Sequence, residues 1–496
     1  MHVIFQTMTH KRNKASVVIA GGGPAGLTAA HELTLRTDMN VTVCEASDLL
    51  GGISRTVGYK GNRMDIGGHR FFTKSERVQR KWDEIMPMMR RPRVSRIYYL
   101  RRFFDYPVSL SLSTVRALGA ARMLRVSAGY IRSMIHKREE RSLEDFYINR
   151  FGRPLYRMFF EDYTEKVWGV HPSELGADWG SQRVKGLSIS TILNNILRRG
   201  KASRRKPSEV ETSLIDEFLY PPLGPGQLWE AMGRRAHERG AEIEMRTKVK
   251  KVHLGPDKRV RAVTVVDAEG IPKRIDCDVF ISSMPLGELV EALDGIDVPA
   301  EVRRVAGGLP YRDFITVGLL LDHLKINAPD GDRIPDTWIY VQERDVRLGR
   351  IQIFNNWSPQ LVKDDSNTVW LGLEYFCNEG DDMWEASEGD FIDFAINELE
   401  SIGIISKEDV RDAVRIRMKK AYPAYFGTYH EINKLRSFLD SISNLFCIGR
   451  NGQHRYNNMD HSMLTAMKAV DAIIAGATDK ADVWNVNTEN EYHETK

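Results

Sequence analysis

Short apolar runs and longer amphipathic stretches alternate along the first part of this 496-residue chain. Val17-Val18-Ile19-Ala20 is apolar and mostly β-branched, as expected of a buried strand. Residues 27–35 are expected to form a helix, and Val41-Thr42-Val43-Cys44 a second strand. A strand, a helix and a strand in this order predict a parallel sheet covered by helices.

Later segments have different patterns. Residues 110–140 contain few glycines and place apolar residues three and four positions apart, which predicts helices, and Ser142 begins a sequence typical of a capped helix start. Residues 309–376 alternate strand-like runs with turns and predict an antiparallel sheet. The predicted strands in this region are 314–321, 338–342, 350–354 and 368–375. Residues 278–285 and 445–450 resemble buried strands, and helices are predicted at 390–402 and 461–475.

A glycine-rich turn joins the first strand to the first helix. Gly21, Gly23 and Gly26 have the G-x-G-x-x-G spacing, which permits a tight turn, close approach of a pyrophosphate and close packing of the helix. Glu45 follows the second strand, 19 positions beyond Gly26, where a carboxylate can accept hydrogen bonds from a ribose. The turn residues predicted to bind a dinucleotide are Gly21, Gly23, Pro24, Ala25 and Gly26.

Composition restricts the class of protein. The chain is 42% hydrophobic and 28% charged, with a net charge of +4, as in ordinary globular proteins. Its four cysteines are far apart and form no C-x-x-C pair, so neither a zinc site nor a disulfide framework is indicated. No segment resembles a secretory signal or a transmembrane span. We therefore expect a cytoplasmic protein with no metal and no nucleic-acid partner.

The segment after Glu45 resembles a large group of flavoproteins. Leu50-Gly51-Gly52-Ile53-Ser54-Arg55-Thr56 is similar to the glycine doublet of the amine oxidase, phytoene desaturase and UDP-galactopyranose mutase relatives, in which it lies against FAD. Its glycine N–H groups and Arg55 suit a phosphate. The resemblance implies that FAD contacts Glu45, Gly52, Arg55, His69, Val249, Gly449, Arg450, Asn458, Met459 and Asp460 in addition to the glycine-rich turn.

Three further motifs resemble the mutase branch of that group. They are Gly67-Gly68-His69, Tyr163-Thr164-Glu165-Lys166-Val167-Trp168-Gly169 and Tyr456-Asn457-Asn458-Met459-Asp460. The resemblance implies catalytic contacts at His69, Arg183, Arg350 and Tyr456, and substrate contacts at Tyr163, Trp168, Arg183, Arg350, Tyr422, Tyr425 and Tyr456. One departure is Leu187, where the mutases usually carry a second arginine.

The resemblance implies an α/β fold, with an FAD-binding Rossmann-like domain, an inserted helical domain and an antiparallel β-sheet substrate domain. The predicted FAD-binding domain comprises 15–105, 213–300 and 441–477, with the helical domain at 106–212 and the substrate domain at 301–440. An N-terminal extension (1–14) and a disordered tail (478–496) complete the predicted division.

The expected activity is pyranose–furanose isomerisation of a nucleotide sugar by reduced FAD, as in cell-surface polysaccharide biosynthesis. NAD(P)H is a candidate reductant, and a homodimer is compatible with the resemblance. The sister branches supply the alternative, an FAD-dependent oxidoreductase that transfers hydride to the flavin as amine and protoporphyrinogen oxidases do. A flavin-binding protein without catalysis is a third alternative.

Overall fold

The computed structural model describes residues 14–106, 118–177, 216–326 and 333–486. Its strands are β1 Ser16–Ala20, β2 Asn40–Cys44, β3 Thr56–Tyr59, β4 Asn62–Asp65, β5 Met89–Pro92, β6 Ser95–Tyr99, β7 Arg102–Asp105, β8 Glu217–Tyr220, β9 Glu242–Glu244, β10 Lys248–Leu254, β11 Val260–Val266, β12 Pro272–Asp276, β13 Val279–Ser282, β14 Leu293–Asp294, β15 Tyr311–Leu321, β16 Trp338–Val341, β17 Arg350–Ile353, β18 Val369–Cys377, β19 Val410–Pro423 and β20 Leu445–Cys447. Its helices are α1 Pro24–Arg36, α2 Glu76–Ile85, α3 Ala120–Ile135, α4 Leu143–Phe151, α5 Arg153–Phe159, α6 Glu161–Trp168, α7 Gly226–Glu238, α8 Leu286–Ala292, α9 Ala300–Gly307, α10 Phe354–Trp357, α11 Asp382–Glu385, α12 Glu388–Ser401, α13 Ile432–Asp440, α14 Gly449–Gly452, α15 Met459–Ala475 and α16 Ala481–Trp484.

A five-stranded parallel sheet in the order β20-β13-β1-β2-β9 forms the predicted nucleotide-binding domain. Alternate residues of β1 face opposite sides, as the two-residue period of a strand requires. Val17 and Ile19 pack against α1 and α15. Val18 and Ala20 face the other way and pack in the core shared with a second, four-stranded sheet in the order β12-β11-β10-β14. Helix α1 approaches β1 closely because a Cβ at Gly26 would lie 1.9 Å from the Gly21 carbonyl oxygen.

The substrate domain contains a seven-stranded sheet in the order β19-β15-β18-β17-β16-β6-β7. Every residue of β18 is buried, and one face of the sheet packs against α12 through Phe391, Ala395 and Leu399. Neighbouring strands are antiparallel except β16 and β6, which are parallel. The predicted fold class is therefore confirmed, with a substrate sheet that contains one parallel pair.

Helices α3–α6 form the inserted helical domain, and the predicted cap at Ser142 is present. The Ser142 hydroxyl accepts a hydrogen bond from the Asp145 N–H at 3.2 Å, and the Asp145 carboxylate accepts one from the Ser142 N–H at 3.2 Å. Lys166, at the end of α6, donates from Nζ to the carbonyl oxygens of Val341, Glu343 and Leu348 at 3.3, 3.0 and 2.9 Å. This half-buried ammonium joins the helical domain to the substrate sheet.

Three features differ from the sequence prediction. Strands β6 and β7, which we assigned to the FAD-binding domain, pair with the substrate sheet instead. The long strand β19 was not predicted, and Tyr422 lies within it rather than in a turn. Part of the predicted disordered tail is ordered, because α16 buries Trp484 against the core and the Trp484 Nε1 donates to Asp440 at 2.8 Å.

Candidate functional site

A large cavity of about 1300 Å³ extends through the described structure between the three domains. One end is lined by the turn between β1 and α1, and the other by Trp168 of the helical domain and Arg350 of the substrate sheet. The predicted site residues that line it are Gly21, Gly23, Pro24, Ala25, Glu45, Gly52, Arg55, His69, Tyr163, Trp168, Val249, Arg350, Gly449, Arg450, Tyr456, Asn458 and Met459. The fold therefore brings distant parts of the chain to one site.

The glycine turns form a narrow cradle at the first end of the cavity. A Cβ at Gly23 would lie 3.7 Å from the Gly52 Cα, so the two predicted phosphate-binding loops face each other across a space that side chains would fill. Glu45 lies beside this cradle. Its Oε2 accepts from the Gly22 N–H at 2.6 Å, and its Oε1 accepts from the Ser47 N–H and hydroxyl at 2.8 and 2.6 Å. These bonds fix the carboxylate in the cavity wall.

Arginine nitrogens without partners indicate an anionic ligand in this part of the cavity. Nε of Arg55, and Nε and Nη2 of Arg450, are buried without a hydrogen bond to any described residue. Buried guanidinium groups are costly unless their donors are satisfied, so a bound anion would complete these contacts. Burial lowers the pKa of Arg55, and the carboxylate of Glu45 opposes that effect. The cradle, the two arginines and Glu45 together fit a dinucleotide such as FAD.

The N-terminus of α15 opens into the middle of the cavity, where Asn458, Met459 and Ser462 line the wall. The positive end of the helix dipole therefore faces this region. His69 lies nearby with its Nδ1 buried and without a partner. Burial and the positive charge of Arg450 lower the pKa of His69 to about 4, against an opposing hydrogen bond from the His69 ring to the Gly67 backbone. His69 is therefore neutral at pH 7.

Arg350 is the centre of a buried polar cluster at the far end of the cavity. Its Nε donates to the Tyr163 hydroxyl at 2.7 Å, and its Nη1 lies 3.2 Å from Oε2 of Glu374 and 3.4 Å from the Tyr422 hydroxyl. Gln352 Nε2 donates to the other Glu374 oxygen at 2.8 Å. Burial raises the pKa of Glu374, and Arg350 opposes that shift. These contacts hold the guanidinium in one orientation.

Several residues that sequence reasoning missed complete this end. Arg70 and Arg350 lie on the Trp338 ring, with guanidinium carbons 5.1 and 5.2 Å from its centroid. Tyr340 stacks on Tyr106 at 4.6 Å. The Arg93 guanidinium lies 5.2 Å from the Tyr106 centroid. Arg70, Arg93, Tyr106, Trp338 and Tyr340 all line the cavity, and only the pairing of β6 with β16 brings them together.

Not all of the predicted contacts lie in the cavity wall. Trp168 is buried in the cavity wall, edge-on to Tyr422 at 6.2 Å. Tyr422 and Tyr425 lie behind Tyr456: Tyr422 stacks on its ring at 5.8 Å, and the Tyr425 hydroxyl accepts from its N–H at 2.6 Å. Gly26 and Asp460 belong to α1 and α15 and do not line the cavity. Arg183 and Leu187 lie outside the described residues.

The fold and the cavity define a flavoprotein, and a family comparison agrees with this. The sequence profile of the flavin-containing amine oxidoreductase family matches residues 24–474. The chain belongs to this family and is a flavoenzyme that uses FAD, consistent with the fit of the cradle described above.

Individual relatives are more distant. A probable UDP-galactopyranose mutase from Klebsiella pneumoniae is 27% identical over 176 residues, which cover 33% of this chain and 44% of that protein. A coproporphyrinogen III oxidase from Mycobacterium leprae (strain TN) is 38% identical over 65 residues, 13% of this chain and 14% of that protein. The matched regions therefore span less than half of either relative.

Solved structures show the same fold. A reduced UDP-galactopyranose mutase superposes with a TM-score of 0.79 at 22% identity, covering 96% of this chain and 99% of that one. A putative protoporphyrinogen oxidase from Exiguobacterium sp. 255-15 gives 0.67 at 16% identity, with 93% and 99% covered. Within the described residues, no helix has the length and apolar character of a membrane span, and no cluster of acidic, histidine and cysteine side chains suits a metal ion.

Proposed function

We propose that this protein isomerises the sugar of a nucleotide sugar, in the manner of a mutase, with its FAD reduced. The observation that carries the proposal is the Arg350 cluster, in which Tyr163 from the helical domain and Tyr422 from β19 hold one guanidinium in the cavity wall. Nε and Nη1 make the described bonds of Arg350, so Nη2 is left to bind an oxygen of the ligand.

The charge of the cavity wall supports an anionic substrate. Beyond the part assigned to FAD, the cavity is lined by Arg70, Arg93 and Arg350. The ion pair between Arg350 and the buried Glu374 neutralises only one of these charges. A diphosphate would satisfy several guanidinium groups at once. A cationic amine would be repelled by the same wall, which disfavours an amine oxidase activity.

The protein's own residues have separate tasks in this proposal. Arg350 and Tyr456 hold the diphosphate, and Trp168 provides an aromatic surface for the base. Neutral His69 lines the wall without adding charge. The bound FAD, in its reduced form, supplies the electron-rich chemistry of the isomerisation. Because net isomerisation consumes no electrons, reduction is needed only to prime the enzyme, and NAD(P)H is our candidate reductant.

A second candidate rests on the apolar part of the cavity. Tyr147, Phe151, Leu155 and Phe159 of the helical domain also line it, and they make part of the space suited to an apolar substrate. An FAD-dependent oxidoreductase acting on a large substrate with anionic groups, such as a porphyrinogen, would use both the apolar surface and the arginines. Such an enzyme requires oxidised flavin as the hydride acceptor.

Substrate class can be tested by binding. UDP is titrated by calorimetry into the FAD-loaded protein, and putrescine and a porphyrinogen are supplied in parallel while oxygen consumption is followed. The proposal predicts binding of UDP and no oxygen consumption with either compound. Oxygen consumption with the porphyrinogen, and no heat with UDP, would favour the second candidate.

A further inference from the structure

Helix α3 has an outer face that is both apolar and basic. Leu124, Ile131, Met134 and Ile135 are 72%, 57%, 62% and 69% exposed. They are half of the eight large hydrophobic side chains that are exposed in the described chain, and all four lie on this one 16-residue helix. A concentration of this kind marks an interaction surface rather than scattered surface residues.

The spacing of these residues gives the helix two distinct faces. At about 100° per residue, Leu124, Ile131 and Ile135 fall within about 40° of one another, whereas the buried Val126 and Ser133 lie on the opposite side. The inner face packs in the core of the helical domain through Val126. Ile131 also lines the cavity, as Val126 does, whereas Leu124 and Ile135 belong neither to the cavity wall nor to the core of the helical domain.

Unneutralised arginines flank the outer stripe. Arg125 and Arg132 project about 90° from it, and neither they nor Arg122 or Lys137 forms an ion pair with another described residue. By contrast, Arg138 and Arg141, just beyond the helix, are paired with Asp145 and Glu139. An apolar stripe beside free basic groups is the pattern of a helix that lies in the interface of an anionic membrane.

We propose that α3 docks this protein onto the surface of an anionic lipid bilayer, with Leu124 and Ile135 inserted among the lipids and Arg125 and Arg132 at the headgroups. The helix is 16 residues long and basic, so it lies on the bilayer rather than spanning it.

Charge disfavours the other occupants of this face. A two-fold contact between copies would bring the arginines of both helices together in a single interface, where like charges repel. Residues 178–215, which follow this domain in sequence, carry eight lysines and arginines against three acidic residues, so their charge does not complement α3. An anionic lipid surface satisfies the apolar stripe and the arginines together.

The test is flotation of the full-length, FAD-loaded protein with vesicles of phosphatidylcholine, with or without phosphatidylglycerol. The wild type should float with the anionic vesicles at low salt, much less at high salt, and not with phosphatidylcholine alone. Arg125→Gln/Arg132→Gln should lower the partition coefficient roughly fivefold per arginine. Leu124→Gln/Ile135→Gln should lower it at least about tenfold.

Two controls keep the test specific. Ile271→Gln removes an equally exposed apolar side chain from the loop before β12, and Arg274→Gln removes an exposed arginine from that strand. Both should float as the wild type does, and all variants should keep their FAD content and melting temperature. Wild-type protein that stays with the soluble fraction, or α3 variants that float unchanged, would overturn the proposal. A wild-type dimer that Leu124→Gln/Ile135→Gln converts to monomers, without vesicle binding, would assign the face to a second copy instead.

Discussion

Arg350 Nε donates a hydrogen bond to the Tyr163 hydroxyl at 2.7 Å, across the junction between the substrate sheet and the helical domain. The two residues are 187 positions apart in the sequence and meet only in the folded cavity. Because burial raises the pKa of Tyr163 above its ordinary value, the hydroxyl remains protonated at neutral pH. Tyr163 thus fixes Arg350 without removing its charge.

Removing the Arg350 charge should weaken UDP binding. Arg350→Gln loses a charge-assisted contact of about 1.5–3 kcal/mol, so the affinity measured by calorimetry should fall about ten- to hundredfold. The FAD content should not change. Arg347→Gln is the matched control, since Arg347 is an exposed arginine three residues away that pairs with Asp382.

The Arg350→Gln variant also leaves the buried carboxylate of Glu374 without its cationic partner, which should destabilise the fold. The double variant Arg350→Gln/Glu374→Gln removes both charges and should restore the melting temperature without restoring UDP affinity. If the double variant binds UDP as the wild type does, Arg350 does not contact the ligand.

Glu45 should control the affinity for FAD. In Glu45→Gln an amide replaces a carboxylate that accepts bonds from Gly22 and Ser47, and the amide nitrogen cannot accept them. We expect about a tenfold weaker affinity, measured by fluorescence titration of the apoprotein with FAD. Glu242→Gln, at an exposed position in β9 of the same sheet, should have no effect. Unchanged affinity in Glu45→Gln would remove Glu45 from the FAD site.

The local part of this site could be predicted from sequence. Strand β1, the glycine turn, α1 and Glu45 lie within 30 consecutive residues, and their chemistry depends on spacing along the chain. Helix α1 begins at Pro24, three residues before the predicted start, because the turn glycines end at a proline that suits the first helical position.

The far end of the cavity could not be predicted in the same way. Arg70, Arg93 and Tyr106 carry no motif, and they line the cavity because β6 joins the substrate sheet beside β16. Strand β19 was missed because buried and exposed residues do not alternate regularly along it, so its sequence lacks the two-residue period of a strand. Its partner β15 also lies about 100 residues earlier in the chain. Tyr425 was predicted from a local Y-P motif, which could not show that its hydroxyl holds the Tyr456 backbone.

A substitution at Trp168 should separate the contribution of the base to UDP binding from the contribution of the diphosphate. Its ring is buried in the cavity wall, and stacking on a base contributes about 1–3 kcal/mol. Trp168→Ala should therefore weaken UDP binding by about tenfold or more while changing pyrophosphate binding much less. Competition calorimetry with the two ligands measures the difference. Equal losses for both ligands would mean that the indole supports the cavity wall rather than the base.

His454 should make the protein sensitive to acid. Burial lowers the pKa of His454 to about 4, against a hydrogen bond to the Ala424 carbonyl at 3.0 Å. The unfolded chain takes up this proton below about pH 6.5 and the folded chain only near pH 4, so stability is lost as pH falls between these values. As pH falls from 7 to 5, the protonation of His454 in the unfolded chain should lower the free energy of unfolding by about 2 kcal/mol.

Urea unfolding at both pH values measures this loss. His454→Gln should be less stable than the wild type at pH 7, and the difference between the two proteins should shrink by about 2 kcal/mol at pH 5. His323→Gln, at an exposed position, should leave the pH dependence as it is. A constant difference between the wild type and His454→Gln would show that His454 does not titrate with unfolding.

The most direct test of the proposed function is incubation of the FAD-loaded protein with UDP-sugars, once with dithionite-reduced flavin under nitrogen and once with oxidised flavin in air. Products are separated by chromatography, and their molecular masses are measured by mass spectrometry. We predict an isomer of unchanged mass only with the reduced enzyme, and its loss in Arg350→Gln but not in Arg347→Gln. No isomer from any UDP-sugar with the reduced enzyme, together with an oxidised product and oxygen consumption in air, would contradict the account.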